Sequence, residues 1–98
     1  MDNKVFARIN WVPTEKGGKK RFPLTKYSTA AHFQDDLEGQ DWSVVLSIIS
    51  NHDNYETLCS VEFLFPEKVP GNLLFVGSKF VLYEFGKVAD GEIIESLS

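Results

Sequence analysis

Basic residues crowd around a pair of glycines in the first quarter of the chain. Five of them fall within residues 16–26: Lys16, Lys19, Lys20, Arg21 and Lys26. Gly17 and Gly18 permit a sharp backbone reversal, so we expect a hairpin-like loop there. Clustered cations bind phosphate groups with an affinity that falls as salt rises. The segment is a candidate partner-binding or RNA-binding surface, and the alternative is a solvated loop tip whose charge protects a sheet edge.

A run of acidic residues follows within residues 35–41. Its carboxylates belong to Asp35, Asp36, Glu38 and Asp41. Such a run complements a basic partner, for example the surface of a nuclease, but it is equally typical of a solvated loop. The spacing lacks the ordered ligand positions of a calcium-binding loop. We therefore treat Asp35, Asp36 and Glu38 as candidate partner-binding residues and predict no metal there.

Few residues are suited to covalent or metal chemistry. His32, His52 and Cys59 are the only soft ligands, and they show neither C-x-x-C nor H-x-x-x-H spacing. Cys59 has no basic neighbour in sequence to lower its thiol pKa, which argues against a Cys–His nucleophile. The carboxylate pairs Asp90 with Glu92 and Glu62 with Glu84 would need to converge on a cleft to act as acid and base. We predict neither an enzyme nor a cofactor.

Composition indicates a single domain spanning residues 1–98. The chain is 43% hydrophobic and 13% aromatic, which is typical of a globular protein with β-rich packing. Residues 1–27 carry a net charge of +5 and the remainder −9, a division that allows a dipolar surface. One cysteine, no apolar leader and no run of about 20 apolar residues predict a cytoplasmic protein outside the membrane.

Alternating apolar and polar residues predict five to seven short strands. The clearest candidates are residues 4–12, 42–49, 57–65, 79–85 and 88–94, separated by turns rich in glycine and proline. Residues 50–56 are expected to form a loop and residues 95–98 a frayed tail. Phe75 is expected to join the core, as are Trp11 and Trp42.

Residues 27–34 are ambiguous. Tyr27, Thr29, Ala31 and Phe33 alternate as in a strand, whereas an amphipathic helix over residues 29–37 is the competing interpretation. With the strand counted, the pattern predicts an all-β domain. A chain of this size protects its sheet edges by closing into a barrel or by packing two sheets together.

Two segments resemble the C-terminal β-barrel domain of elongation factor Tu and its relatives. The first is G-G-K-K-R-F-P-L-T-K-Y at residues 17–27, with a matching spacing from Gly18 to Tyr27. The second is G-S-K-F-V-L-Y-E-F-G-K-V-A-D-G-E-I at residues 77–93, where Gly86 and Gly91 fall at the expected turn positions. The chain departs from the pattern at Ala89, where the family has glycine. The resemblance implies a six-stranded Greek-key barrel, closed or partly closed, with Lys19 at the family's basic position.

No guanine-nucleotide machinery accompanies this resemblance, because the phosphate-loop pattern G-x-x-x-x-G-K-[ST] is missing. We therefore predict a binding module without enzyme activity that recognises a protein partner through charged loops. Two alternatives stay open. One is an RNA-binding domain that uses the basic segment, and the other is a small acidic immunity protein that caps a basic toxin.

Overall fold

The computed structural model describes residues 4–19, 21–69 and 72–97, so Lys20, Pro70 and Gly71 lie outside the described part. Strands dominate this part of the chain. They are β1 (Lys4–Trp11), β2 (Lys26–Phe33), β3 (Asp41–His52), β4 (Glu56–Phe63), β5 (Lys79–Tyr83) and β6 (Lys87–Leu97). Short 3₁₀ turns occupy Thr14–Lys16 and Pro66–Lys68. No helix in these ranges is long and apolar enough to cross a membrane.

The six strands form a closed antiparallel barrel in the order β1-β4-β3-β2-β5-β6. Strands β2, β3 and β4 are consecutive neighbours, and β1 lies beside β4, which is the Greek-key arrangement. The predicted all-β class and the predicted barrel are therefore confirmed. Residues 27–34 belong to a strand, and the competing helix is wrong because β2 pairs with β3 on one side and β5 on the other.

The interior is filled by the inward-facing residues of every strand. In β1 these are Val5, Ala7, Ile9 and Trp11, each at most 6% exposed. Phe33 lies at the centre of the core, with ring centroids 5.1 Å from Phe80 and 5.5 Å from Phe63. Burial of such apolar area is the main contribution to the stability of a small barrel. Trp11 is in the core as predicted, and Trp42 is half-buried against it.

Several predicted boundaries are wrong. Strand β3 continues through residues 50–52, which were expected to be a loop, and β6 continues through residues 95–97, which were expected to fray. Residues 95–97 pair with Lys4, Val5 and Phe6, so the end of β6 provides the strand partner for the start of β1. Strands β4 and β5 each end two residues earlier than predicted. Phe75 is 38% exposed, and Leu73 is buried in its place.

Gly91 lies within β6 and not at a turn, contrary to the prediction. It faces the interior beneath the Phe80 ring, and a Cβ atom there would lie 2.3 Å from Cε2 of Phe80. Glycine inside a strand commonly marks such a close approach. Register shifts at three points bend the strands and help to close the barrel, and one of them leaves Ile49 unpaired and 59% exposed.

Candidate functional surfaces

The two charged segments lie at opposite ends of the barrel. Both are attached to β2: residues 12–25 precede it, and residues 34–40 follow it. Its eight residues span about 26 Å at a rise near 3.3 Å per residue. We call the end that holds residues 12–19, 21–25, 53–55 and 84–86 the basic end, and the end that holds residues 34–40, 64–69 and 72–78 the acidic end. The predicted partner-binding residues therefore form two surfaces and not one.

Lys19, at the basic end, is engaged within the protein. Its ammonium lies 2.5 Å from a carboxylate oxygen of Glu84 and 5.0 Å from the centroid of the Tyr27 ring. The Tyr27 hydroxyl donates to the same oxygen of Glu84. These two donors hold the pKa of Glu84 below its usual value, and burial together with the carboxylate raises the pKa of Tyr27. Lys19 thus connects the loop that follows β1 to the turn between β5 and β6.

The contacts among Lys19, Tyr27 and Glu84 lie where β2 and β5 meet and help to close the barrel. Backbone pairing between β2 and β5 covers only Ala30 to Phe33. Beyond it, Thr29 donates its hydroxyl hydrogen to the carbonyl of Tyr83, and Tyr27 reaches Glu84. Side chains therefore continue the contact between the two strands where the backbone ladder stops.

The other cations of the basic segment point to solvent. Lys16, Arg21 and Lys26 are exposed, and within the described ranges no carboxylate oxygen lies within 4 Å of their charged nitrogens. Lys20 lies outside the described residues. Phe85 occupies the neighbouring β5–β6 turn with its side chain fully exposed, at 109% of its reference area. The basic end thus offers at least three free cations and one free aromatic ring.

Asp36, at the acidic end, organises its own loop. Its carboxylate accepts hydrogen bonds from the backbone N–H groups of Glu38 (3.1 Å) and Gln40 (3.3 Å) and from the indole Nε1–H of Trp42 (2.8 Å). The indole hydrogen bond is the main cause that lowers the pKa of Asp36. Asp36 is only 9% exposed, and its carboxylate holds the loop through these hydrogen bonds.

Exposed groups surround this buried carboxylate. Asp35 and Glu38 are exposed, and Asp41 lies 3.1 Å from Nδ1 of His32. Leu37 projects from the loop with its side chain at 101% exposure. Phe65, from the neighbouring connection after β4, is 49% exposed, with the Lys68 ammonium 5.2 Å from its ring centroid. The acidic end therefore combines apolar side chains with carboxylates.

The side chains considered for nucleophilic or metal chemistry do not meet. Cys59 is fully buried inside the barrel, where its Sγ lies 3.9 Å from the carbonyl oxygen of Ala7, and burial raises its pKa to about 12. His32 contacts Asp41, and His52 contacts Ser50 at 2.9 Å. No three His, Cys, Asp or Glu side chains within the described ranges come together as a metal site would require.

Asp90 and Glu92 line an open groove of about 610 Å³ on the barrel wall, together with Asn10, His32, Gln34 and Lys79. Lys87 pairs with Asp90 at 2.9 Å, so one carboxylate already has a counter-charge. Glu62 and Glu84 lie on different parts of the barrel, on β4 and on the β5–β6 turn. The groove is open to solvent, and both polar and apolar residues line it.

Two exposed apolar residues of these surfaces were missed from the sequence. Leu37 stands within the acidic run, and an apolar residue flanked by charges on a loop was itself a usable signal. Phe85 precedes a turn glycine, a position from which an aromatic ring points to solvent as readily as into a core.

No protein-family model and no curated protein matches this chain.

Proposed function

We propose that this chain is a non-enzymatic binding module of the cytoplasm that engages a protein partner through its acidic end. The observation that carries the proposal is Leu37, a fully exposed apolar side chain on a loop that Asp36 holds in place. Binding energy at protein interfaces is concentrated in a few apolar anchors that fill pockets on the partner. A preorganised loop also costs less ordering entropy on binding.

The surrounding charge indicates the kind of partner. Asp35 and Glu38 flank Leu37 and are exposed, and Phe65 adds a second apolar side chain at the same end. Complementary charge steers association and sets specificity more than it adds affinity. The surface therefore fits a protein with an apolar pocket bordered by Lys or Arg, a description that includes a basic nuclease toxin.

We also propose that the chain is related to the C-terminal β-barrel domain of elongation factor Tu. A closed six-stranded Greek-key barrel is the fold that the resemblance implied, and this agreement supports the relation. Barrels of this kind carry many unrelated functions, so the surface residues and not the fold support the choice of partner. The buried Cys59 and the separated histidines support a role without catalysis.

An affinity capture from native cytoplasmic extract, quantified by mass spectrometry at two salt concentrations, tests the acidic end. Leu37→Ser removes the anchor from a fully exposed position, so the fold is preserved and partner recovery is expected to fall about tenfold or more. Asp35→Asn with Glu38→Gln is expected to slow association and reduce its salt dependence. Asp36 is unsuitable for this test because its substitution would also disturb the loop.

The matched control lies at the other end of the barrel. Arg21→Ala with Lys26→Ala changes two exposed cations and is expected to leave capture unchanged. If this control loses the partner while Leu37→Ser retains it, the docking surface is the basic end and the proposal is wrong.

A second candidate function is RNA binding through the basic end, and Phe85 is the observation in its favour. A fully exposed aromatic ring at the same end of the barrel as Arg21 and Lys26 matches the pairing of base stacking with phosphate contacts. Filter retention at low salt tests it. Binding should decrease with Phe85→Ala and with the Arg21→Ala, Lys26→Ala pair, and the dependence on salt should flatten in the latter. Absence of retention at low salt removes this candidate.

A further inference from the structure

A pocket of about 390 Å³ opens at the basic end, between the loop that follows β1 and the hairpin that joins β3 to β4. Three aromatic residues line it: Trp11, Phe22 and Tyr55. The ring centroids of Trp11 and Phe22 lie 5.5 Å apart, and those of Phe22 and Tyr55 lie 5.7 Å apart at an angle of 82°. At these separations the rings are in contact with one another, so together they form one aromatic wall of the pocket.

Hydrogen bonds hold these rings in place. The indole Nε1–H of Trp11 donates to the hydroxyl of Thr57 at 2.7 Å, and that hydroxyl donates in turn to Asn51. Asn51 also donates from its side-chain amide to the carbonyl of Pro23 at 3.1 Å, beside Phe22. The loop that carries Phe22 is thereby joined to the strand that supports the opposite side of the pocket.

Tyr55 adopts a backbone conformation that glycine would adopt more easily. It is the last residue of the three-residue loop between His52 and Glu56, and its φ is +59°. Three-residue hairpin loops place a left-handed residue at this position, which is usually glycine. A large side chain is strained there, and such strain concentrates at functional sites. The strained backbone places the Tyr55 ring against Phe22.

The charges that line the pocket are acidic. Asp53 and Glu56 contribute carboxylates, His52 contributes an imidazole, and no Lys or Arg belongs to the lining within the described part of the chain. Arg8 lies 3.5 Å from Glu56 and offsets that charge, whereas no cationic nitrogen of the described residues lies within 4 Å of the Asp53 carboxylate. Lys16, Arg21 and Lys26 are exposed elsewhere at the basic end and do not line the pocket, so a cation in the pocket would meet the Asp53 carboxylate and the negative faces of the rings.

From these observations we infer that the pocket binds an organic cation of the quaternary ammonium type, either as a free small molecule or as an alkylated lysine side chain. Aromatic rings beside a poorly hydrated cation provide cation–π attraction, and the partly exposed rings of Phe22 and Tyr55 are the ones that a ligand would contact. Asp53 adds Coulomb attraction at the rim. The site lies at the opposite end of the barrel from Leu37, so it is independent of the proposed protein-docking surface.

Calorimetric titration with three probes tests the inference. The probes are choline, a peptide bearing trimethyllysine, and 3,3-dimethylbutanol, which has the shape of choline without its charge. Choline is expected to bind at least about tenfold more tightly than the neutral alcohol, which corresponds to a moderate cation–π energy. Tighter binding of the trimethyllysine peptide than of choline would assign the site to modified proteins, and the reverse order would assign it to a small molecule. Equal binding of choline and the alcohol, or no binding of either cation, would overturn the inference.

Variants separate the pocket from the fold. Tyr55→Gly relieves the positive φ but also removes a ring that packs on Phe22, so the two effects on the melting temperature oppose each other while cation affinity should fall about tenfold. Tyr55→Phe keeps the ring and should keep the affinity. Asp53→Asn, at an exposed position, should weaken cation binding without changing the affinity for the neutral alcohol. Wild-type cation affinity in both Tyr55→Gly and Asp53→Asn would refute the assignment.

Discussion

The ammonium of Lys19 lies 2.5 Å from the carboxylate of Glu84, across 65 positions of sequence. This contact joins the loop after β1 to the turn between β5 and β6. The side chains are 19% and 32% exposed, so the pair is better shielded from water than a typical surface ion pair. A cation that appeared available for phosphate binding in the sequence therefore contributes to the closure of the barrel.

Glu84→Gln should destabilise the protein by about 1 kcal/mol, because a partly buried, charge-assisted contact is lost while the amide oxygen can still accept from Tyr27. Urea denaturation measures the effect. The control is Asp90→Asn, which removes the exposed pair with Lys87 and should cost less than about 0.5 kcal/mol. An equal effect of the two substitutions would contradict the role assigned to Lys19 and Glu84.

Stability should fall in acid because of Glu84 and Asp36. Both carboxyl groups have folded-state pKa values below their usual ones, so the unfolded state binds more protons as the pH decreases. The two ionised carboxylates stabilise the folded state fully above the pKa of about 4 that they have in the unfolded chain. This stabilisation is lost as the pH falls through their lower pKa values in the folded state. Urea midpoints measured from neutral pH into acid should show the difference between wild type and Glu84→Gln shrinking below about pH 4. A difference independent of pH would exclude the ionised carboxylate as its source.

Asp36→Ala should loosen the acidic loop and leave the barrel intact. The amide hydrogens of Glu38 and Gln40 and the indole hydrogen of Trp42 all lose their acceptor. Hydrogen exchange followed by NMR should therefore become faster at these three groups and stay slow in β1 and β6. Asp35→Ala is the control, since Asp35 is exposed, and it should leave the exchange unchanged.

Gly91→Ala should destabilise the core by about 1–3 kcal/mol, because the new methyl group meets the Phe80 ring at 2.3 Å. Gly86→Ala is the control: its Cβ would meet nothing within 4 Å. Phe80→Leu makes room next to residue 91 and should partly rescue Gly91→Ala, so that the double variant is more stable than the sum of the single effects predicts. Additive effects of the two substitutions would show that contact with the Phe80 ring does not cause the destabilisation by Gly91→Ala.

Local pattern predicted most strands and the all-β class, whereas residues 27–34 stayed ambiguous between a strand and a helix. The alternation in residues 4–12 and 57–63 follows from the two-residue period of a strand with one face in the core, and proline and glycine mark many of the turns. The pattern failed at strand ends. Residues 50–52, 95 and 96 are polar, yet they belong to strands because a neighbouring strand offers them unpaired backbone groups.

The sequence by itself determined that this protein is a β domain with a basic first part, an acidic run, and no phosphate loop, because periodicity, charge and motif spacing are local properties. Only the tertiary structure decided that the two charged segments lie at opposite ends, that Lys19 and Asp36 are engaged internally, and that Trp11, Phe22 and Tyr55 line one pocket. These relationships depend on barrel closure, which brings together residues tens of positions apart. Residues that are in contact but far apart in sequence produce no periodic pattern in the sequence.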